Sequence, residues 1–225
     1  MKIRFPSTRC PALYLVAGLL ILAGTTSALG VIAEDVLNHA PLTIADAQLS
    51  MWLHTHSSPH LTTAMWVVTS LHSTVAVSCI AVVVGLCLWR RRRPYWLAAV
   101  WLSVFGGILL NDILKYSFHR PRPYFNDPIL TLTSYSFPSG HTMMATVLYG
   151  VLAAFLIART EHWPWRVLVI LAASCLIALV GFTRIYLGAH YLSDVLAAMA
   201  EGFAWLSLCL TAVYSVWERR QQKPR

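Results

Sequence analysis

Apolar residues run along this chain in long unbroken stretches, and polar residues gather in the short segments between them. The apolar runs fall near Leu13–Ile32, Ser70–Trp89, Tyr95–Tyr116, His141–Ala158, Trp165–Thr183 and Leu192–Val216. Each reaches roughly 18 residues or more, the length a helix needs to cross the hydrocarbon core of a bilayer. The pattern predicts an all-α, six-span transmembrane helical bundle. Between the first two runs lies a polar stretch from Ala33 to about Leu61, with Glu34, Asp35, Asp46 and several histidines. Its Trp52 and Trp66 point to segments lying at the membrane surface. No repeat, low-complexity tract or linker divides the chain, so residues 1–225 read as one domain. Lys2, Arg4 and Arg9 before the first run resemble a secretory signal, and Val31 and Ala33 would make a small-residue cleavage site. The run is longer than a signal core, which favours an uncleaved first span.

Composition agrees with membrane burial. Hydrophobic residues make up 57% of the 225 and charged residues only 12%, about half the ~25% charged share of a soluble domain. The 17 Lys and Arg against 9 Asp and Glu lie mostly in short patches between spans, and no RNA- or DNA-binding signature accompanies them. The excess is therefore topology charge, and a nucleic-acid partner is excluded. Cys10 precedes the first span, while Cys79, Cys87, Cys175 and Cys209 lie inside apolar runs without the paired spacing of a zinc site. They read as small apolar filler.

Positive charge flanking the spans sets the orientation. With cytoplasmic N- and C-termini, the inner face carries Lys2, Arg4, Arg9, Arg90 to Arg93, Arg159, Arg166, Arg219, Arg220, Lys223 and Arg225. The remaining cations, Lys115, Arg120, Arg122 and Arg184, all fall on the outer side. Cations that defy the rule at one face call for an anion held there.

Three segments meet at that outer, membrane–water face: Lys115 to Pro123, leaving the third span; Ser136 to His141, entering the fourth; and Thr183 to Asp194, joining the fifth and sixth. Lys115, Arg122 and Arg184 supply three cations, and arginine grips phosphate oxygens through two parallel hydrogen bonds. Ser139 and Gly140 precede a helix start, where unpaired N–H groups and the helix dipole favour an anion. Gly140 lets the backbone approach a ligand closely, and Pro123 and Pro138 stiffen their loops. His190 and Asp194 are four apart and share a face if the sixth helix has begun by His190. The carboxylate would then hold one ring nitrogen protonated and leave the other free to attack phosphorus. His141, at a helix start near the same phosphate, could protonate a leaving oxygen. Two intramembrane acids, Asp112 and Glu201, are expected to be paired, Asp112 with Lys115 or another nearby cation.

Singly, each of these residues is an ordinary interface anchor, turn or helix-end pair. Together they resemble the type 2 phosphatidic acid phosphatase superfamily, whose blocks are Lys-x6-Arg-Pro, Pro-Ser-Gly-His and Ser-Arg-x5-His-x3-Asp. The matching residues are Lys115, Arg122 and Pro123; Pro138 to His141; and Arg184, His190 and Asp194, within residues 115–194. Thr183 stands where the family pattern has Ser and keeps the hydroxyl. The six-residue spacing from Lys115 selects Arg122 over Arg120, which leaves Arg120 as an additional outer-face cation for a lipid headgroup. The resemblance implies an integral-membrane lipid phosphatase working through a phosphohistidine on His190, with His141 as the acid, and needing neither metal nor cofactor.

An apolar wall beside a cationic pocket suits a membrane lipid phosphate, met in the bilayer of the cell (inner) membrane from the outer or periplasmic side. Undecaprenyl diphosphate is the first expected substrate. Phosphatidylglycerophosphate, phosphatidic acid and lipid A phosphates are alternatives, as is phosphoryl transfer to an acceptor other than water. An anion transporter would explain the outer-face cations, but not His190 with Asp194 or the Pro-Ser-Gly-His block. The sequence says nothing about oligomeric state.

Overall fold

A computed structural model describes residues 11–38 and 41–222. Cys10, Lys2, Arg4, Arg9, Lys223 and Arg225 lie outside the described residues. Those described form helices and connecting loops, with no strand. In chain order the helices are α1 (Pro11–Leu37), α2 (Pro41–Thr55), α3 (Pro59–Leu71), α4 (Thr74–Arg90), α5 (Pro94–Phe118), α6 (Gly140–Ile157), α7 (Trp163–Tyr186) and α8 (Leu192–Gln222). Proline opens α1, α2, α3 and α5 and is the second residue of α7. There its missing N–H costs nothing and its fixed φ already suits the helix.

Helices α1, α5, α6, α7 and α8 are each long and apolar enough to cross a membrane. The sixth crossing differs from the single run expected over Ser70–Trp89. That run is divided between α3 and α4, which bend by 45° at a break around His72 and Ser73, so the described helices hold five candidate spans, or six with this pair counted as one. The polar residues there explain the break. The Ser73 hydroxyl accepts the N–H of Ala76 and starts α4 afresh. His72 caps the end of α3, its Nδ1 bonding the Val68 carbonyl at 2.7 Å and its Nε2 the Tyr149 hydroxyl at 2.6 Å. The polar stretch before it folds into α2 and α3.

Helix α6 lies at the centre, packed by α4, α5, α7 and α8, while α1 runs along α8. Val147, Leu148 and Val151 of α6 meet Val77 of α4 and Val100 and Val104 of α5 in the main core. Between apolar helices in lipid there is little hydrophobic drive to associate, so small residues that admit close packing matter more. Gly202 of α8 lies against Thr146 of α6, where an added Cβ would come within 2.7 Å of the threonine Cβ. Large apolar side chains such as Leu20, Val75 and Leu109 point outward and are more than 60% exposed, as suits a surface facing lipid. Cys79, Cys87, Cys175 and Cys209 are free thiols.

Antiparallel neighbours bring the end of α5 and the start of α6 to the same end of the bundle, with the end of α7 and the start of α8. Helices α2 and α3 pack there too, against α7 and α8.

Candidate active site

At that shared end, Lys115, Arg122, Gly140, His141, Arg184 and His190 line one cavity of about 160 Å³. Helix α5 brings Lys115 in its last turn, α6 brings Gly140 and His141 in its first, and α7 brings Arg184. Arg122 comes from the loop after α5 and His190 from the turn between α7 and α8. Gly188, with φ of 68°, allows the chain to reverse in that turn.

The tautomer of His190 follows from its neighbours. Its Nδ1 lies 2.7 Å from the Ser136 carbonyl, which only accepts, so Nδ1 carries the proton. Its Nε2 lies 3.2 Å from Nη1 of Arg122, which only donates, so Nε2 is the unprotonated nitrogen and accepts from the guanidinium. Burial, at 2% exposure, is the main force on its acidity. The charges of Arg122 and Arg184 add to it, and together they outweigh the pull of Asp194 and hold the imidazole down to about 3. At neutral pH the ring is uncharged.

Asp194 differs from the expectation of a shared helix face. Helix α8 starts at Leu192, so His190 precedes it, and Asp194 Oδ2 stands 3.5 Å from Nδ1. The orienting hydrogen bond comes from the Ser136 carbonyl, and Asp194 acts on the ring by charge. The helix begins late because Asp194 Oδ2 accepts the Tyr191 N–H at 2.9 Å, capping α8. Oδ2 also accepts from the Ser136 hydroxyl, and Oδ1 from Nη1 of Arg120 at 2.5 Å.

Arg120 is turned inward, not toward a lipid headgroup. It bridges two buried carboxylates, Asp194 and, at 2.9 Å, Asp46 of α2. Asp46 in turn accepts from the N–H and hydroxyl of Ser193. Asp46 had no local signal for this role, since 148 residues separate it from Asp194.

The cations differ in how free they are. Arg122 has all five N–H donors engaged. They go to the Ser134 carbonyl and hydroxyl, the Tyr135 and Ala189 carbonyls, and His190 Nε2. Its partial burial lowers its pKa, against the opposing pull of Asp194. Arg184 donates Nη1 to Thr69 at 2.7 Å, while its buried Nε has no partner, a donor facing a cavity that could hold an anion. Ser139 lies behind the wall. Its N–H goes to the Asp194 carbonyl, and its hydroxyl bonds Thr142 rather than capping α6. A Cβ on Gly140 would lie 3.1 Å from Asn111 Oδ1 and 3.3 Å from Lys115 Nζ, so the glycine keeps those groups close. The Thr183 hydroxyl bonds the Val180 carbonyl within its own helix.

The two intramembrane acids part company. Glu201 is buried and accepts from Asn111 Nδ2 at 2.9 Å, so its partner is an amide. Asp112 and Lys115 line the same cavity, yet no ion pair within 4.0 Å joins them. Asn111, also in the wall, escaped the sequence reading because an asparagine in an apolar run carries no charge to mark it.

Residues 96–218 match the PAP2 superfamily. Phosphatidylglycerophosphatase B of Bacillus subtilis is 36% identical over 149 residues, covering 64% of this chain and 71% of that protein. An undecaprenyl-diphosphatase of Sulfolobus acidocaldarius is 30% identical over 135 residues, covering 58% of this chain and 60% of its own length. The crystal structure of a transmembrane PAP2-type phosphatidylglycerolphosphate phosphatase from Bacillus subtilis superposes with a TM-score of 0.73 at 27% identity. That match covers 91% of this chain and 98% of the other.

Proposed function

The chain belongs to the PAP2 superfamily of membrane lipid phosphatases, and on that footing we propose that it hydrolyses a lipid phosphate ester through a phosphohistidine on His190. The observation that carries this reading is the single cavity shared by three cations and two histidines, with His190 Nε2 unprotonated and held by an Arg122 N–H. His190 Nε2 attacks phosphorus in line, forming the N–P bond as the P–O bond to the lipid breaks. His141 gives its proton to the departing alkoxide. Water then attacks the phosphohistidine, its proton passing to His141, and inorganic phosphate leaves as the N–P bond breaks. Lys115 and Arg184 neutralise the phosphoryl oxygens throughout. The Arg122 N–H that rests on Nε2 passes to a phosphoryl oxygen when Nε2 takes the phosphorus. Ser139, through its bond to the Asp194 carbonyl, holds the start of α6 for Gly140 and His141.

Phosphatidylglycerophosphate is the first substrate to test, because the Bacillus subtilis match bears that name or its equivalent both in the sequence comparison and in the crystal structure. Undecaprenyl diphosphate is kept as the second reading by the similarity to an undecaprenyl-diphosphatase. The distribution of Arg90 to Arg93, Arg159 and Arg166 favours cytoplasmic termini and a site opening on the outer side of the cell membrane.

The test is phosphate release by purified protein from both lipids, phosphatidic acid and lipid A, with EDTA in excess. Wild type is expected to retain full activity under EDTA. His190→Ala should lose at least about 10³-fold in kcat, as removal of a nucleophile does, and His141→Ala roughly 10²–10⁴-fold. Wild-type turnover by His190→Ala would remove the nucleophile from this mechanism. Activity lost to EDTA and restored by added metal would replace it with metal-assisted hydrolysis.

A further inference from the structure

The end of the bundle opposite the active site carries a second constellation that the chemistry above does not use. Helices α4 and α5 are joined there through Arg90 to Arg93, a turn tight enough to put Arg92 at φ of 53°. Helix α6 ends nearby at Ile157, with Arg159 two residues on. At 1.5 Å rise per residue, Arg159 lies roughly 27 Å along α6 from His141.

Between these helix ends lies a cavity of about 370 Å³, walled by apolar side chains such as Val84, Leu88, Val100, Leu152 and Phe155 and bordered by Arg91 and Arg159. Its volume falls in the range of about 300–1,000 Å³ typical of ligand pockets. An apolar trough gives water no partners, but it matches an acyl chain. Both arginines are exposed, and among the described residues neither pairs with a carboxylate. The Arg159 guanidinium lies over the Phe155 ring, 5.3 Å from its centroid, which sets the charge directly above the apolar wall.

Positive charge at helix C-termini has an ordinary explanation in the helix dipole and in topology. Neither accounts for two unpaired guanidiniums bordering the same apolar cavity. The larger cavity between α1 and α8, of about 410 Å³, shows the contrast. Its one cation is Arg166, whose Nε already donates to the Thr160 carbonyl at 2.9 Å.

We propose that the cavity between the ends of α4, α5 and α6 binds an anionic membrane phospholipid, with an acyl chain in the trough and the phosphate held between Arg91 and Arg159. Arginine suits this role because its fork donates to two phosphate oxygens at once, and basic pockets between membrane helices select anionic headgroups. The lipid would fasten together the three helices whose other ends carry Thr74, Lys115 and His141 around the active site. Binding to the folded form alone stabilises it.

Native mass spectrometry and thermal melts of the full chain in detergent test this. The additions are phosphatidylserine, phosphatidylcholine with the same acyl chains, or inorganic phosphate alone. Phosphatidylserine carries no phosphomonoester, so turnover does not confuse the reading. Wild type is expected to retain phosphatidylserine in preference to phosphatidylcholine and to melt higher in its presence. Arg91→Gln with Arg159→Gln should weaken phosphatidylserine retention roughly tenfold or more. Leu152→Trp, which fills the trough without altering charge, should do the same. Arg219→Gln with Arg220→Gln, at the end of α8, should leave retention unchanged. Equal retention of the two lipids, or undiminished retention by the Arg91/Arg159 variant, would overturn the site. A full thermal rise with inorganic phosphate alone would show the ligand is not a lipid. Should Leu152→Trp fail to fold, the charge variant still decides.

Discussion

His190 is held by two groups that cannot exchange roles: a carbonyl that only accepts and a guanidinium that only donates. Buried beside Arg122 and Arg184, the ring resists a second proton until about pH 3, whereas an unfolded chain takes that proton near pH 6.5. Between these values the unfolded state binds more protons, so stability falls as pH is lowered from about 6.5 toward 3. The slope approaches about 1.4 kcal/mol per pH unit from this residue. Thermal melts in detergent at pH 7 and pH 4.5 should therefore show a larger drop for wild type than for His190→Asn. Parallel curves would mean that His190 titrates like an exposed histidine. The same burial keeps the His190 ring neutral across physiological pH, so any activity change near pH 6 belongs to the substrate phosphate or to another group.

Among the elements, the link most exposed to disruption joins α2, the loop after α5 and α8. Arg120 holds Asp46 and Asp194 together with about 10% of its side chain exposed. Truncating it leaves two buried carboxylates without a counter-charge, which costs roughly 3–5 kcal/mol. Arg120→Met should lower the melting temperature sharply and reduce turnover, because the Ser136 carbonyl that orients His190 belongs to a residue whose hydroxyl is held by Asp194. Adding Asp46→Asn removes one stranded charge, so the double variant should be more stable than Arg120→Met alone. A double variant as unstable as the sum of the two single changes would show that the bridge is not one unit. At the next crossing, Gly202 against Thr146 leaves no room for a side chain, and α6 and α8 keep their spacing only with glycine there.

For the whole molecule, the described helices give five candidate crossings, or six with the bent α3–α4 pair counted as one, and only the even number places both termini on the side expected from the charge pattern. Fluorescent protein fused after Arg225 should fluoresce in the cytoplasm; a dark fusion with an active extracytoplasmic reporter would invert the orientation. Much of this architecture was legible in order along the chain. Apolar length gives the spans, since a helix in lipid must satisfy its own backbone groups and cannot be much shorter than the bilayer. Motif spacing brought Lys115, Arg122, Gly140, His141, Arg184 and His190 forward, because each block is local and alternating spans return all three blocks to one end. What only the tertiary structure decided depends on contacts between residues distant in sequence or on where a helix ends. Asp46 reaches Asp194 across 148 positions, and Asn111 meets Glu201 across 90. His190 leans on the Ser136 carbonyl because Asp194 caps α8 and keeps the helix from reaching back to residue 190. The bend between α3 and α4 falls where His72 and Ser73 find partners in Tyr149 and Ala76. Hydrophobic length and local spacing are properties of the chain itself, whereas hydrogen-bond partners are settled only when packing brings distant groups within 3 Å.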